Sequence, residues 1–289
     1  MQKIFIFPNF KKKQVKNILE KLLEFFSREK IKVVLPDSCA SFYNTLAFST
    51  EKQQGFQNVR LAIALGGDGT ILHLLKEIGQ YEIPICGINM GQVGFLAELK
   101  ISDLDDVLIR LCQSKYLIEQ RKMLKLEVWK SGKVCWVAHA LNDIVLARNQ
   151  NSQMLRVNVA FSSSEQIKYP VDGLIFSTAT GSTAYSLSAG GPIVHPNLEA
   201  TVITPICAYA MYTKPLVIST KENLLVQLAN NSGSGSLSTD GISLGKINRQ
   251  YTLKIVESEY QARFIRFNEA NYYPTWQERL RRGEASTNF

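Results

Sequence analysis

The sequence predicts an α/β domain built on a parallel sheet, then an antiparallel β domain, then a helical tail. Three observations carry this expectation. The first third alternates short apolar runs with amphipathic stretches, Met123 to Phe267 is almost wholly strand-like segments cut by turns, and the last residues regain helical character. At 289 residues the chain has room for two domains. Hydrophobic residues at 45% and charged residues at 20% exclude disorder and collagen-like classes.

In the first third, Ile4 to Phe7 reads as a buried strand. Lys11 to Lys30 follows as a helix, with Val15, Ile18, Leu19, Leu22, Leu23 and Phe26 at helical spacing. Ile31 to Leu35 is a second strand, stopped by Pro36, and Leu61 to Leu65 a third. Thr70 to Ile78 reads as a helix, Pro84 to Ile88 as a strand, and Asp103 to Cys112 as a helix that Ser102 is placed to cap. Such alternation argues for a parallel sheet covered on both faces.

The second region offers Leu124 to Trp129, Val134 to Ala147, Leu155 to Phe161, Leu174 to Ser177, Leu216 to Ser219, Leu224 to Leu228, Leu253 to Val256 and Arg263 to Phe267 as strands. Pro274 to Arg282 reads as a helix with proline in its first turn. The expected division is 1–118 as the α/β domain, rejoined by the tail 269–289, with 119–268 as the β domain.

The net charge of +8 and pI near 9.2 suit an anionic partner. The short basic runs, Lys11 to Lys13 and Arg279 to Arg282, read as solvated helix faces. Five cysteines, without a Cys-x-x-Cys pair and with scattered histidines, speak against zinc and for free, mostly buried thiols in a reducing compartment. No 18-residue apolar stretch and no leader pattern is present, so the expectation is a soluble cytoplasmic protein without a membrane partner.

The most informative segment is Leu61 to Leu65 running into Gly66-Gly67-Asp68-Gly69-Thr70. Glycines let the backbone turn tightly and approach a ligand, and the amides of such a turn attract phosphate. A carboxylate there is repelled by phosphate, so Asp68 makes sense as a metal ligand or as the acceptor of a hydroxyl proton. On the residues alone, a tight turn with Asp68 as a helix cap remains open. The loop is neither a Walker A motif nor Gly-x-Gly-x-x-Gly. A second cluster, Asp172 to Pro192, crowds Thr, Ser and Gly between a strand and a helix expected near Ser182. Its hydroxyls suit a purine edge, ribose and phosphate, and Tyr185 adds an aromatic ring with a polar tip. Asn142 and Asp143 stand together in an apolar strand, where burying them requires partners.

Gly66 to Thr70 resembles the signature shared by NAD kinases, diacylglycerol and sphingosine kinases, and phosphofructokinases. Asp172 to Pro192 resembles the long NAD kinase motif almost residue for residue. Asn142-Asp143, Gly87 to Leu96 and Pro205-Ile206-Cys207 resemble further segments of that family. The chain departs from the usual pattern at Gln153, Pro170 and Ile242.

The resemblance implies a Rossmann-like α/β domain and an antiparallel sandwich closed by a C-terminal helix. It implies transfer of phosphate from ATP, or polyphosphate, to the adenosine ribose 2′-hydroxyl of NAD. Gly66, Gly67, Gly69 and Thr70 would cradle the donor phosphates with Mg²⁺, which would come in on those phosphates, with no metal ligand assigned directly and Asp68 a candidate for one. Asp68 would be the catalytic base. NAD would be met by Asp68, Gly69, His73, Phe95, Leu96, Asn142, Asp143, Thr180, Thr183, Ala184, Tyr185 and Ser188, with Asp172 and Cys207 at the nicotinamide end. A homodimer or homotetramer is implied as well. The alternative is a lipid kinase on the same glycine loop. A nucleic-acid binder lacks a recognition motif, and an NAD(P) dehydrogenase lacks the dinucleotide fingerprint.

Overall fold

The computed structural model describes residues 3–40, 43, 46–48, 56, 58–91, 94–97, 99–150, 152–211, 213–269, 272–273 and 276–277. The chain divides into two compact units, Met1–Gln120 with Ala262–Phe289, and Arg121–Gln261.

The first unit runs β1 (Lys3–Pro8), α1 (Val15–Arg28), β2 (Lys32–Pro36), α2 (Asp37–Ala40), β3 (Leu46–Phe48), β4 (Val59–Gly66), α3 (Asp68–Ile78), β5 (Ile85–Asn89), β6 (Leu99–Lys100) and α4 (Leu104–Cys112). The strands pair in parallel in the order β5-β4-β1-β2-β3. Ile4, Ile6, Leu61, Ile63 and Leu65 pack with Val15, Leu19, Leu22 and Phe26 of α1, and with Leu104, Leu108 and Leu111 of α4. Each such burial contributes about 1.5–3 kcal/mol. From β1 the chain moves outward to β2 and β3, then returns to β4 on the other side of β1. That reversal makes a switch point at the carboxyl ends of β1 and β4, where ligands of open α/β sheets bind.

Two expectations here need correction. α1 starts at Val15, not Lys11, because Lys11 to Lys13 lie in an exposed turn held by Asn9. The Asn9 side chain accepts the Lys11 amide at 3.2 Å, and its carbonyl accepts the Lys12 amide at 3.0 Å. Ser102 does not cap α4: the chain enters through a 3₁₀ turn, and the Ser102 hydroxyl donates to Asp103 at 2.8 Å.

The second unit is entered along β7 (Leu117–Lys130). It continues through β8 (Lys133–Ala140), β9 (Asp143–Arg148), β10 (Leu155–Ala160), β11 (Gln166–Val171), β12 (Gly173–Thr178), α5 (Tyr185–Ser188), β13 (Ala200–Ile206), β14 (Leu216–Ser219), β15 (Leu224–Leu228), β16 (Gly235–Thr239), β17 (Ile242–Ile247) and β18 (Tyr251–Arg266). One layer is antiparallel throughout, β14-β13-β12-β9-β16-β17. The other runs β8-β7-β18-β15-β10-β11. Ile144, Leu146, Leu174, Phe176 and Leu237 of the first layer share one core with Leu126, Val157, Val226, Leu253 and Ile255 of the second. The unit is a sandwich of two packed sheets.

Val134 to Ala147 is not one strand: it breaks at Leu141 and Asn142, whose amides are taken by Asp240. Leu253 to Val256 and Arg263 to Phe267 belong to the single strand β18. The helix expected near Ser182 is a 3₁₀ turn, Thr180–Thr183, followed by the short α5. Pro170 fits β11 because that strand lies at the sheet edge. Cys39 and Cys86 are buried and Cys112 is half-buried, whereas Cys135 and Cys207 are exposed, which corrects the picture of mostly buried thiols. Of the expected tail helix, Trp276 and Gln277 are helical. Pro274 and the basic residues Arg279, Arg281 and Arg282 lie outside the described residues.

Candidate functional site

In the first unit the glycine turn leaves β4 at the switch point and becomes α3. Gly66 is demanded by packing, since a Cβ there would stand 2.0 Å from Thr70 Oγ1. That hydroxyl also accepts the Asn9 side-chain amide at 3.1 Å, which ties the end of β1 to the turn. Gly67 and Gly69 differ: among the described residues, a Cβ at either would meet nothing within 4 Å. Gly67 sits at φ −109°, an ordinary angle, and Gly69 is inside the helix. Among the described residues, neither packing nor conformation calls for glycine at these two positions, which leaves the turn open to a close approach.

Asp68 is the first residue of α3, with Gly67 as the helix cap and no side-chain cap bond. Its carboxylate is instead held by three consecutive amides. Oδ2 accepts from Phe95 at 2.6 Å, and Oδ1 accepts from Leu96 and Ala97, both at 3.0 Å. A carboxylate offers about four acceptor positions, so about one, on Oδ2, is left to face a substrate hydroxyl. The approach is close enough to require glycine at 94, where a Cβ would lie 2.0 Å from Oδ1. The loop is closed by Asn89, which accepts the Gly91 amide at 2.8 Å and donates to the Ala97 carbonyl at 3.2 Å. Leu96 is buried, Phe95 half-buried, and His73 exposed on α3. Gln92 and Val93 of this segment lie outside the described residues.

In the second unit, Asn142 and Asp143 stand at the start of β9, fixed from two sides. On one side the Asp240 carboxylate accepts the amides of Leu141 at 2.8 Å, Asn142 at 2.7 Å and Asp143 at 3.0 Å. On the other, the Thr178 hydroxyl donates to the Leu141 carbonyl at 2.6 Å, and the Thr178 amide to the Asn142 carbonyl at 2.9 Å. Gly181 comes so near that a Cβ would lie 2.0 Å from the Asn142 carbonyl oxygen. Burial, and then the like charge of Asp240, push the Asp143 carboxyl up to about 7. Burial also raises Asp240, but its three amide donors oppose the shift.

The long cluster splits into internal and outward residues. Ser182 bonds Ala179 and Val194, and the Ser186 hydroxyl meets that of Thr204 at 2.7 Å. Gly190 is needed for its φ of +87°. These positions are explained by the fold. Thr180, Thr183 and Ala184 are half-exposed, and Tyr185 and Ser188 exposed, so this group is open to a ligand. The Thr180 hydroxyl is held by the buried Arg121 at 3.1 Å.

Thr180 to Ser188, Asn142 and Asp143 gather at one end of β12, because Ser177 pairs with Asp143. Asp172 and Cys207 gather at the other end, where the Asp172 amide donates to the Ile206 carbonyl at 3.0 Å. The two groups are separated by the length of β12, roughly 17 Å at 3.3–3.4 Å per residue. Arg148 pairs with Asp172 at 3.2 Å.

Sequence reasoning missed the parts played by Asp240, Arg148, Arg266 and Glu119. Asp240 carried a signal, since Asp240-Gly241 takes φ of +46° and +76° in a two-residue hairpin between β16 and β17, the turn that Asp-Gly favours. Among the described residues, no three His, Cys, Asp or Glu side chains converge as metal ligands, and no helix is long and apolar enough to cross a membrane.

Comparison with known proteins agrees over both units. Residues 4–116 match the ATP-NAD kinase N-terminal domain, and residues 141–267 the ATP-NAD kinase C-terminal domain. The NAD kinase of Natranaerobius thermophilus is 33% identical over 284 residues, covering 98% of this chain and 99% of that one. The NAD kinase of Moorella thermoacetica is 33% identical over 283 residues, covering 98% and 90%. Among solved structures, yeast NADH kinase complexed with NADH aligns with TM-score 0.82 at 24% identity, covering 93% of this chain and 84% of that chain. An NAD kinase from Archaeoglobus fulgidus in complex with ATP aligns with TM-score 0.73 at 23% identity, covering 97% and 99%.

Proposed function

The chain belongs to the NAD kinase family, and we propose from that premise that it moves the terminal phosphate of ATP to the adenosine ribose 2′-hydroxyl of NAD, giving NADP. The observation that carries the reading is a carboxylate held by three amides at the N-terminus of α3, beside two glycines whose Cβ positions are open among the described residues. The yeast relative in complex with NADH and the archaeal relative in complex with ATP support the two substrates. The lipid-kinase alternative finds no support in these relatives.

Asp68, through its remaining acceptor position, takes the proton of the 2′-hydroxyl. The freed oxygen attacks the γ-phosphorus, the bond to the β-phosphate oxygen breaks, and ADP leaves with that electron pair. Phosphoryl transfer depends mostly on positioning and charge stabilisation. Gly66, Gly67, Gly69 and Thr70 cradle the donor phosphates. Asn142 and Asp143, with Thr180, Thr183, Ala184, Tyr185 and Ser188, hold the adenosine, while Asp172 and Cys207 meet the nicotinamide end. Gly69, His73, Phe95 and Leu96 complete the contacts to NAD.

The single carboxylate at the turn fits Mg²⁺ brought in on the donor phosphates rather than caged by protein, as is usual for this ion. Mg²⁺ would supply neutralisation of phosphate charge, held through the donor phosphates. A cytoplasmic location is supported by cysteines that are all free. A homodimer or homotetramer is supported by Tyr209 at 81% and Met211 at 90% exposure, apolar surface suited to a second copy.

The test is direct. Purified protein incubated with NAD, ATP and Mg²⁺ yields NADP, read with an NADP-specific dehydrogenase. Absence of NADP, together with phosphorylation of diacylglycerol in vesicles, overturns the reading. Replacing ATP with polyphosphate identifies the donor.

A further inference from the structure

We propose that Arg266 is a positioning residue for the Asp68 carboxylate, acting through the Leu96–Ala97 peptide with Glu119 as its anchor. This rests on Asp68 being the group that meets the sugar hydroxyl.

Arg266 lies at the end of β18 and is only 7% exposed. Its Nε donates to Glu119 at 2.7 Å, and its Nη1 donates to the Leu96 carbonyl at 3.1 Å. Glu119, on β7, is held in turn by the Tyr272 hydroxyl. The Leu96 carbonyl and the Ala97 N–H belong to one peptide group, and a peptide group is planar. Its oxygen faces Arg266, and its N–H donates to Asp68 Oδ1 at 3.0 Å. Rotation of that plane would carry the N–H away from Asp68, and Arg266 holds the plane from behind. A cation on the carbonyl also polarises the N–H and makes it a stronger donor.

The chemistry asks for arginine. One planar fork serves the carboxylate and the carbonyl together, and a lysine ammonium on its flexible stem lacks that geometry. Stability alone is a weak reason to keep such a buried pair, because desolvation offsets much of the attraction. Its placement against the loop that grips Asp68 supplies a functional reason.

The experiment uses the full chain and two variants. Arg266→Lys keeps the charge; Arg266→Gln with Glu119→Gln removes both charges and leaves neither stranded. Steady-state kinetics with NAD, ATP and Mg²⁺ are expected to show kcat reduced about tenfold or more in the double variant, because small misplacements of a reacting group are costly. KM for ATP should stay within about twofold, and KM for NAD, which Phe95 and Leu96 of the loosened loop also contact, should move less than kcat. Arg266→Lys should recover part of the kcat.

Hydrogen exchange at the Leu96 and Ala97 amides is the second readout, and it should quicken in both variants. Unchanged exchange at those amides in Arg266→Lys overturns the proposal whether or not the double variant folds. So does a folded double variant with native kcat. An Asp68→Asn protein with native kcat would instead remove the underlying reading of Asp68, while the exchange result would still report on the Arg266 bracket.

Discussion

Each unit holds a carboxylate in the amides of three consecutive residues, but the two clamps are built in opposite senses. In the α/β unit the loop Phe95-Leu96-Ala97 grips Asp68, and the gripped carboxylate is the group proposed to react. In the β unit the carboxylate of Asp240 does the gripping, and the gripped loop presents Asn142 and Asp143. The amides serve a reacting group in one case and a recognising segment in the other. The surroundings differ accordingly. No acidic side chain accompanies Asp68 among its hydrogen-bond partners, whereas Asp240 acts on Asp143 and helps to push it up to about 7. The same local geometry, charge-assisted and specific, thus holds a reacting carboxylate in one unit and, in the other, a carboxylate that raises its neighbour Asp143.

The largest effect is expected from disturbing the first clamp. Gly94→Ala places a Cβ 2.0 Å from Asp68 Oδ1, so the carboxylate or the loop must move. We expect kcat to fall by ~10², within the range of ~10² to 10⁴ that general-base catalysis contributes. Asp68→Asn should fall at least as far, and in both variants KM for NAD should move less than kcat. A Gly94→Ala enzyme with native kcat would show that the grip on Asp68 is not needed for turnover.

The second clamp should fail differently. Asp240→Asn keeps the shape but turns an N–H₂ toward at least one of the three amides, leaving donor facing donor. An amide left without a partner costs about 1–3 kcal/mol, and the loss should appear as a KM for NAD raised about tenfold with kcat largely retained. Equal falls in kcat and kcat/KM, with KM unmoved, would place Asp240 in the chemical step and erase the contrast.

The contrast also has a pH signature. Asp143 titrates near 7 in the folded protein against an ordinary value of 3.8, so the folded form binds more protons between those limits. Stability from this group is therefore greatest below about pH 4 and declines as pH rises through about 7. Replacing Asp143 by Asn removes the decline. A plot of Tm against pH should fall more steeply for the native protein than for Asp143→Asn, by a few degrees. Parallel plots would mean that Asp143 is charged at neutral pH.

What could be read from the sequence follows burial and distance along the chain. Ile4 to Phe7 and Leu61 to Leu65 were legible because strands buried on both faces are apolar throughout. β11 was not, because an edge strand exposes Gln166, Ile167 and Lys168 and tolerates Pro170. β16 and β17 were hidden among Ser and Gly, although Asp240-Gly241 marked their turn. The break between β8 and β9 could not be seen locally. It exists because Asp240, 97 to 99 positions away, takes the amides that would have continued the strand. The same holds for the site. Asp68, Asn142 and Asp143 stand out as polar residues in apolar surroundings, but their clamps and the Arg266 bracket come from long-range partners that no local pattern announces.

The smallest effect should come from Gly67. This residue caps α3, and among the described residues nothing lies within 4 Å of where its Cβ would go. Serine is a better helix cap than glycine by a few tenths of a kcal/mol, so Gly67→Ser should leave Tm unchanged or slightly raised. The new side chain would occupy space that the proposed donor phosphates need, and KM for ATP should rise several-fold while KM for NAD and kcat stay near native. A variant more stable than the native protein yet poorer at binding its donor identifies a glycine kept for the ligand. If KM for ATP does not move, Gly67 does not touch the donor, and the phosphate cradle must be drawn from Gly66, Gly69 and Thr70 alone.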